Sequence, residues 1–173
     1  MTTKYIFFDW GNTLGKKGAR KNNMWKTNRD SQTLRHIYLI DGAIDVLEHL
    51  YQKGYKLGII TNSSMNSYEN LNFLEALGIS HYFSYVKSSK DPNTCKKGCP
   101  DIFLGALHFC KIQPWESIFV GDNYRNDILG SNKVGMKSVY VNDSKFPYLF
   151  VLPKNKRKED LKIKSIIELR KFL

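Results

Sequence analysis

Two aspartates in this sequence stand at the ends of similar apolar runs. Asp9 closes "YIFFD" (5–9) and Asp122 closes "SIFVGD" (117–122). A third run, "YKLGIIT" (55–61), ends in Thr61, with Asn62 next. Two carboxylates in one crevice repel each other, so such a pair shares a proton or a metal ion. Oxygen donors, in a chain with only four histidines, favour Mg²⁺ over zinc or copper. Thr61 and Asn62 offer a hydroxyl and an amide, and the start of the following helix offers free N–H groups, a place for an anion. Lys97, in the loop before Pro100, supplies a positive charge. Nucleophile, metal, anion pocket and lysine together describe phosphoryl transfer through an aspartyl-phosphate.

These groups meet only if the runs that carry them are neighbouring strands. None of the three alternates with polar residues, which predicts strands covered on both faces. Further strands are expected over 82–89 and 137–142. Between the strands the spacing turns helical: Ala43, Val46, Leu47 and Leu50, with Asp41 placed to cap and Gly54 to stop. Met65, Tyr68, Leu71, Leu74 and Leu77 predict a second helix, closed by Gly78. Pro100 suits the first turn of a third, which carries Phe103, Ala106, Leu107 and Cys110. A short helix is expected over 126–134, and the tail 152–173 reads as a basic loop and a terminal helix. Strands alternating with helices predict right-handed crossovers. The fold class expected is therefore a three-layer α/β/α sandwich with a mostly parallel, Rossmann-like sheet. Its site lies at the carboxyl ends of the strands.

The length, 173 residues, implies one domain over 1–173. Residues 15–39 are basic, Asn-rich and without period, and read as a small insert. No apolar stretch approaches the roughly 20 residues that span a bilayer. The start "MTTKYIFFDW" has no signal-peptide pattern, which points to the cytoplasm and to reduced thiols at Cys95, Cys99 and Cys110. Cys-x₃-Cys without a matched second pair does not make a zinc site. The net charge of +11 favours anionic partners, nucleic acid among them. Trp25 in the insert and "KNKRK" (154–158) are candidate contacts for such a partner. "FPYLF" (146–150) is a candidate interface.

With these residues in view, the chain resembles the haloacid dehalogenase-like (HAD) hydrolases, in their minimal-cap form. The family's first motif, Asp-x-Asp-x-Thr, stands here as Asp9-Trp10-Gly11-Asn12-Thr13. Its second is Thr61 in "IITNS". Its third is Lys97 in "KGCPDIF", and its fourth is Asp122 and Asp127 in "VGDNYRND". All four occur in order over residues 5–142. The resemblance implies that Asp9 attacks phosphorus, that Thr61 binds phosphoryl oxygens, and that Lys97 holds Asp9 and the phosphate. It also implies that Asp9, Asp122, Asp127 and the Gly11 carbonyl hold Mg²⁺.

Gly11 departs from the pattern. Phosphatases of the family carry there an aspartate that protonates the leaving oxygen, a form of help worth roughly 10²–10⁴-fold. The short 15–39 insert leaves the crevice open to a phosphorylated small molecule or to an exposed phosphate on a larger substrate. Its Lys16, Lys17, Arg20, Lys21, Trp25 and Lys26 are expected near the crevice. The reading is a Mg²⁺-dependent phosphohydrolase weakened by Gly11. The alternative is a catalytically degenerate domain of the same fold that binds a phosphorylated or nucleic-acid partner.

Overall fold

The computed structural model describes residues 3–17, 37–142 and 159–173. Strand β1 (Tyr5–Phe8) is buried along its whole length, as an uninterrupted apolar run requires. Next come two short antiparallel strands, β2 (Gly15–Lys17) and β3 (Ile37–Leu39), the feet of the insert. Trp25, Arg20, Lys21 and Lys26 lie outside the described residues, as do "FPYLF" and "KNKRK". The remaining strands are β4 (Lys56–Thr61), β5 (Phe83–Ser88), β6 (Ser117–Gly121), β7 (Lys137–Val141) and β8 (Leu161–Ile163). Together with β1 they form one parallel sheet, in the order β5-β4-β1-β6-β7-β8. Phe8 lies opposite Ile59 on one side and Val120 on the other. The three polar strand ends are thus brought side by side.

Alternation along β1 divides the core between the sheet's two faces. Ile6 and Phe8 pack with Leu47, Leu50 and Leu74, while Tyr5 and Phe7 pack with Phe103, Ala106 and Phe119. Phe103 and Phe119 meet edge to face, with centroids 5.2 Å apart. Truncating either to Ala would cost about 3–5 kcal/mol.

Helix α1 (Ala43–Gln52) buries the four residues its spacing predicts, Ala43, Val46, Leu47 and Leu50. Its N-cap is Gly42 at φ 80°, one residue after the expected Asp41. Helix α2 (Ser67–Ala76) starts after Asn66, which forms a reciprocal capping box with Glu69. It buries Asn70, Phe73 and Leu74, whereas Tyr68 and Leu71 are exposed. The expected stripe holds at Leu74 and Leu77 and fails at Tyr68 and Leu71, and Phe73, which it left out, is buried against Trp10.

Helix α3 (Asp101–Cys110) takes Pro100 as its N-cap and buries Ile102, Phe103, Ala106 and Leu107. The expected short helix is a π-type turn over Tyr124–Ile128 running into α4 (Leu129–Asn132). The tail differs most from expectation. It contributes the edge strand β8 and then a 3₁₀ segment, Ile166–Lys171, in place of an α-helix. The Asp160 carboxylate accepts the Ser138 N–H at 2.7 Å and helps fix β8 beside β7. No described helix is long and apolar enough to cross a membrane.

Candidate active site

The site is assembled where β4, β1 and β6 end. Asp9 follows β1 directly, and its N–H donates to the Val120 carbonyl at 2.9 Å, so the nucleophile candidate is held as a continuation of the strand. Lys97 reaches it from the loop before α3. Its ammonium group donates to the Asp9 carboxylate and lies 2.7 Å from Asp127 Oδ1. Lys97 is 5% exposed, Asp9 7% and Asp127 fully buried. That burial distinguishes Lys97 from Lys90 and Lys96, which are exposed. The Phe119 ring lies 5.6 Å beneath the ammonium group and adds a cation–π contact.

Oxygens of Asp9, Asp122 and Asp127 all lie within 4.8 Å of one another. Burial, and then the charge of Asp9, pushes the Asp122 carboxyl up to about 6. The Asn12 amide pulls the other way by hydrogen-bonding that carboxylate. Burial pushes Asp127 up to about 7, although the Lys97 charge opposes it. Burial would lower Lys97, but the charges of Asp9 and Asp127 outweigh it and hold the ammonium protonated. Three crowded carboxylates, two of them reluctant to ionise, fit a hard divalent cation: the donors are all oxygen, and a cation would relieve the repulsion.

Asp127 is placed by its neighbours. Its Oδ2 accepts the Asn123 N–H at 2.9 Å. Its side chain fills the space over Gly121, where a methyl group would collide with the carboxylate. The glycine of "VGD" is therefore required by packing against the second aspartate.

Thr61 ends β4 and is buried. Asn62 follows at the strand end, and its Oδ1 accepts the Lys97 N–H at 2.8 Å, so its carbonyl is committed to the lysine loop and its amide N–H₂ is the group left to meet an anion. The N-terminus of α2 is not free for an anion. The Ser67 N–H and hydroxyl donate to Asp91 at 2.7 and 2.5 Å. Residues 62–66 separate Thr61 from α2 as a loop, so no helix starts directly at the strand end.

Gly11 lies in a turn closed by hydrogen bonds from Leu14 and Gly15 N–H to the Trp10 carbonyl, at 3.1 and 2.9 Å. Trp10 covers Gly15 so closely that a side chain there would collide with the indole. A Cβ at Gly11, by contrast, would meet only Asp9 Oδ2 at 3.8 Å. The backbone does not require glycine at that position.

Sequence reasoning missed Asn12 and Asp91. Asn12 stands at φ 55°, a conformation that asparagine tolerates, and this was its one local signal. The expectation of reduced thiols is corrected. Cys95 and Cys99 are joined as a disulfide, with Cα atoms 6.2 Å apart. The turn between them, with Gly98 at φ 102°, brings the two residues together. Cys110 is free and half-buried, packed at the edge of the core.

Known proteins are similar to this chain in sequence and in fold. A glyceraldehyde 3-phosphate phosphatase of Pyrococcus furiosus is 36% identical over 111 residues, 64% of this chain and 45% of that protein. The chain thus spans less than half the length of the curated relative. An uncharacterised protein from Listeria monocytogenes has the same fold, at a TM-score of 0.80 and 22% identity over 98% of this chain and 96% of that one. A HAD phosphatase from Thermococcus onnurineus superposes at 0.75, with 23% identity over 98% and 97% of the two chains. The model of the haloacid dehalogenase-like hydrolases matches residues 2–141, which contain every site residue named above, and the chain belongs to that family.

Proposed function

We propose that the protein is a Mg²⁺-dependent phosphohydrolase working through an aspartyl-phosphate on Asp9. The observation that carries this reading is the shared Lys97 ammonium group, held between Asp9 and Asp127 at the end of the central strand. Asp9, Asp122, Asp127 and the Gly11 carbonyl would hold the metal, which when bound neutralises charge on the phosphoryl group. Lys97 orients the Asp9 carboxylate and offsets the incoming negative charge. An Asp9 oxygen attacks phosphorus, and the bond from phosphorus to the leaving oxygen breaks, its electrons staying with that oxygen. Water then attacks the phosphorus, releases inorganic phosphate and restores the carboxylate. The Thr61 hydroxyl, at the adjacent strand end, suits hydrogen bonding to the phosphoryl oxygens.

Gly11 shapes the choice of substrate. With no side-chain acid at that position, an alkoxide leaves slowly, whereas an acyl phosphate, phosphoanhydride or aryl phosphate departs without protonation. The substrate is a phosphorylated small molecule or an exposed phosphate on a larger one. The Pyrococcus relative takes its name from a phosphate ester of a small sugar. Gly11 is also the observation that favours the second reading, a degenerate domain that binds a phosphorylated or nucleic-acid partner.

Phosphate release from acetyl phosphate and p-nitrophenyl phosphate separates the two. Turnover that needs Mg²⁺, stops with EDTA and is lost in Asp9→Asn is expected of the enzyme. Absence of metal-dependent turnover on both compounds, or turnover surviving Asp9→Asn, leaves only the binding domain.

A further inference from the structure

Lys97 lies at the middle of a five-residue segment, "CKKGC", whose two ends are the disulfide partners Cys95 and Cys99. Three hydrogen bonds also tie the segment down. Asn62 Oδ1 takes the Lys97 N–H at 2.8 Å, and the Lys96 carbonyl takes the Cys99 N–H at 3.1 Å. Lys133 Nζ donates to the Gly98 carbonyl at 2.8 Å, on an exposed side chain. Against these ties stands the cost of keeping an ammonium group buried between two carboxylates. Both cysteines are half-buried residues, and Cys95 packs at the edge of the core cluster that contains Phe103 and Phe119.

From this placement we infer that Cys95 and Cys99 form a reversible thiol–disulfide pair that sets how firmly Lys97 is held against Asp9 and Asp127. Closing the ring removes conformations of the segment in which the lysine swings away, and opening it restores them. Reduction is thiol–disulfide exchange. A thiolate of a small dithiol attacks one sulfur and releases the other as a cysteine thiol. The second thiol of the reductant then attacks the reductant's own sulfur in the mixed disulfide, which closes the cyclic disulfide and releases the second cysteine as a thiol. The protein gains two electrons and two protons, and the dithiol becomes a cyclic disulfide. A small-molecule disulfide reverses the exchange.

The inference rests on the phosphatase reading for its effect on rate, so the test carries a readout that does not need turnover. The full-length protein is equilibrated with graded ratios of reduced and oxidised dithiothreitol, then alkylated and weighed. Full reduction is expected to add two alkyl groups beyond any taken up by Cys110. On the same samples, kcat for p-nitrophenyl phosphate is expected to fall about three- to tenfold in step with the reduced fraction. Acylation of Lys97, followed by peptide mass, is expected to be several-fold faster in the reduced protein. Cys95→Ser/Cys99→Ser is expected to match the reduced protein and to ignore dithiothreitol. A bond that native-state dithiothreitol does not open overturns the inference. So does Lys97 acylation at equal rates in both states. If acylation responds but neither state turns over substrate, the phosphatase reading fails and the lysine clasp stands.

Discussion

The side-chain carbonyl of Asn62 accepts the backbone N–H of Lys97 at 2.8 Å, which ties the end of the Thr61 strand to the loop that carries the lysine. The bond acts on the lysine's position, not on its charge. A single such hydrogen bond is worth about 1 kcal/mol. Asn62→Ala should therefore lower kcat roughly fivefold with little change in KM, and Asn62→Asp, which keeps the acceptor, should recover part of it. Steady-state kinetics on p-nitrophenyl phosphate checks this. An effect confined to KM would mean that Asn62 touches substrate instead.

Lys97 balances two buried carboxylates, so its loss has two consequences. In Lys97→Met, turnover should drop by at least about 10²-fold. Stability in urea at pH 8 should also fall, by about 3 kcal/mol, because Asp9 and Asp127 are left without their cation. Adding Asp127→Asn should return part of that stability without restoring activity. If the double variant is as unstable as the single one, charge imbalance is not the cause.

Gly11 has room for a larger residue, since a Cβ there meets only Asp9 Oδ2 at 3.8 Å. Gly11→Asp should keep the fold and raise kcat/KM for an alkyl phosphate by about 10²-fold, the scale of general-acid help. Acetyl phosphate should gain far less, because its leaving group is already stable as an anion. Equal gains on both substrates would count against a missing leaving-group acid.

The crowded acids should make the protein respond to metal in its stability. At Mg²⁺ about ten times its dissociation constant, linkage gives about 1.4 kcal/mol, or a melting point higher by about 3–5 °C. EDTA should abolish the rise, and Asp122→Asn should show little of it. Differential scanning fluorimetry gives the answer. A full shift in Asp122→Asn would place the cation elsewhere.

Asp91 joins the start of α2 to the loop after β5 through Ser67, and it also pairs with Lys87 at 2.9 Å. Burial pushes its carboxyl up, but the Ser67 and Lys87 hydrogen bonds outweigh this and hold it below the usual carboxylate range. A depressed folded-state pKa adds stability that is present above the unfolded pKa. That stability is lost as pH falls through the folded one. Wild type should therefore melt above Asp91→Asn at pH 7, and the difference should narrow as pH falls below the unfolded carboxylate value of about 3.9. A gap unchanged across that range would rule out the charged form as the source.

The parts of the site legible in the sequence are those fixed by strand ends. Asp9, Thr61 and Asp122 each close an apolar run, and parallel pairing of those runs leaves the three residues side by side. Lys97 was legible through its motif, but its burial and its double ion pair depend on a turn that spacing does not encode. The tail was misread because Ile163, Ile166 and Leu169, three residues apart, fit a helical face as well as the end of a short strand and a 3₁₀ turn. Neighbouring β7 decides between them, with Asp160 at Ser138 as the local fastener. The α2 stripe failed in part for a related reason. Tyr68 and Leu71 are apolar enough to suggest a buried face, yet they are exposed, while Phe73 beside Trp10 joins the expected Leu74 in being buried. The α2 N-terminus was read by type as an anion binder, and its Ser67 N–H and hydroxyl are engaged by Asp91.

The position of β1 between β4 and β6 has a bearing on wear and repair. No partial fraying from either rim of the sheet reaches Phe8, whose backbone is laddered on both flanks. Amide deuteration there should proceed only through opening of the whole domain, while β5 and β8 exchange through smaller excursions. A molecule that has shed its rims, by proteolysis or heat, would thus still hold the Asp9 carboxylate in register.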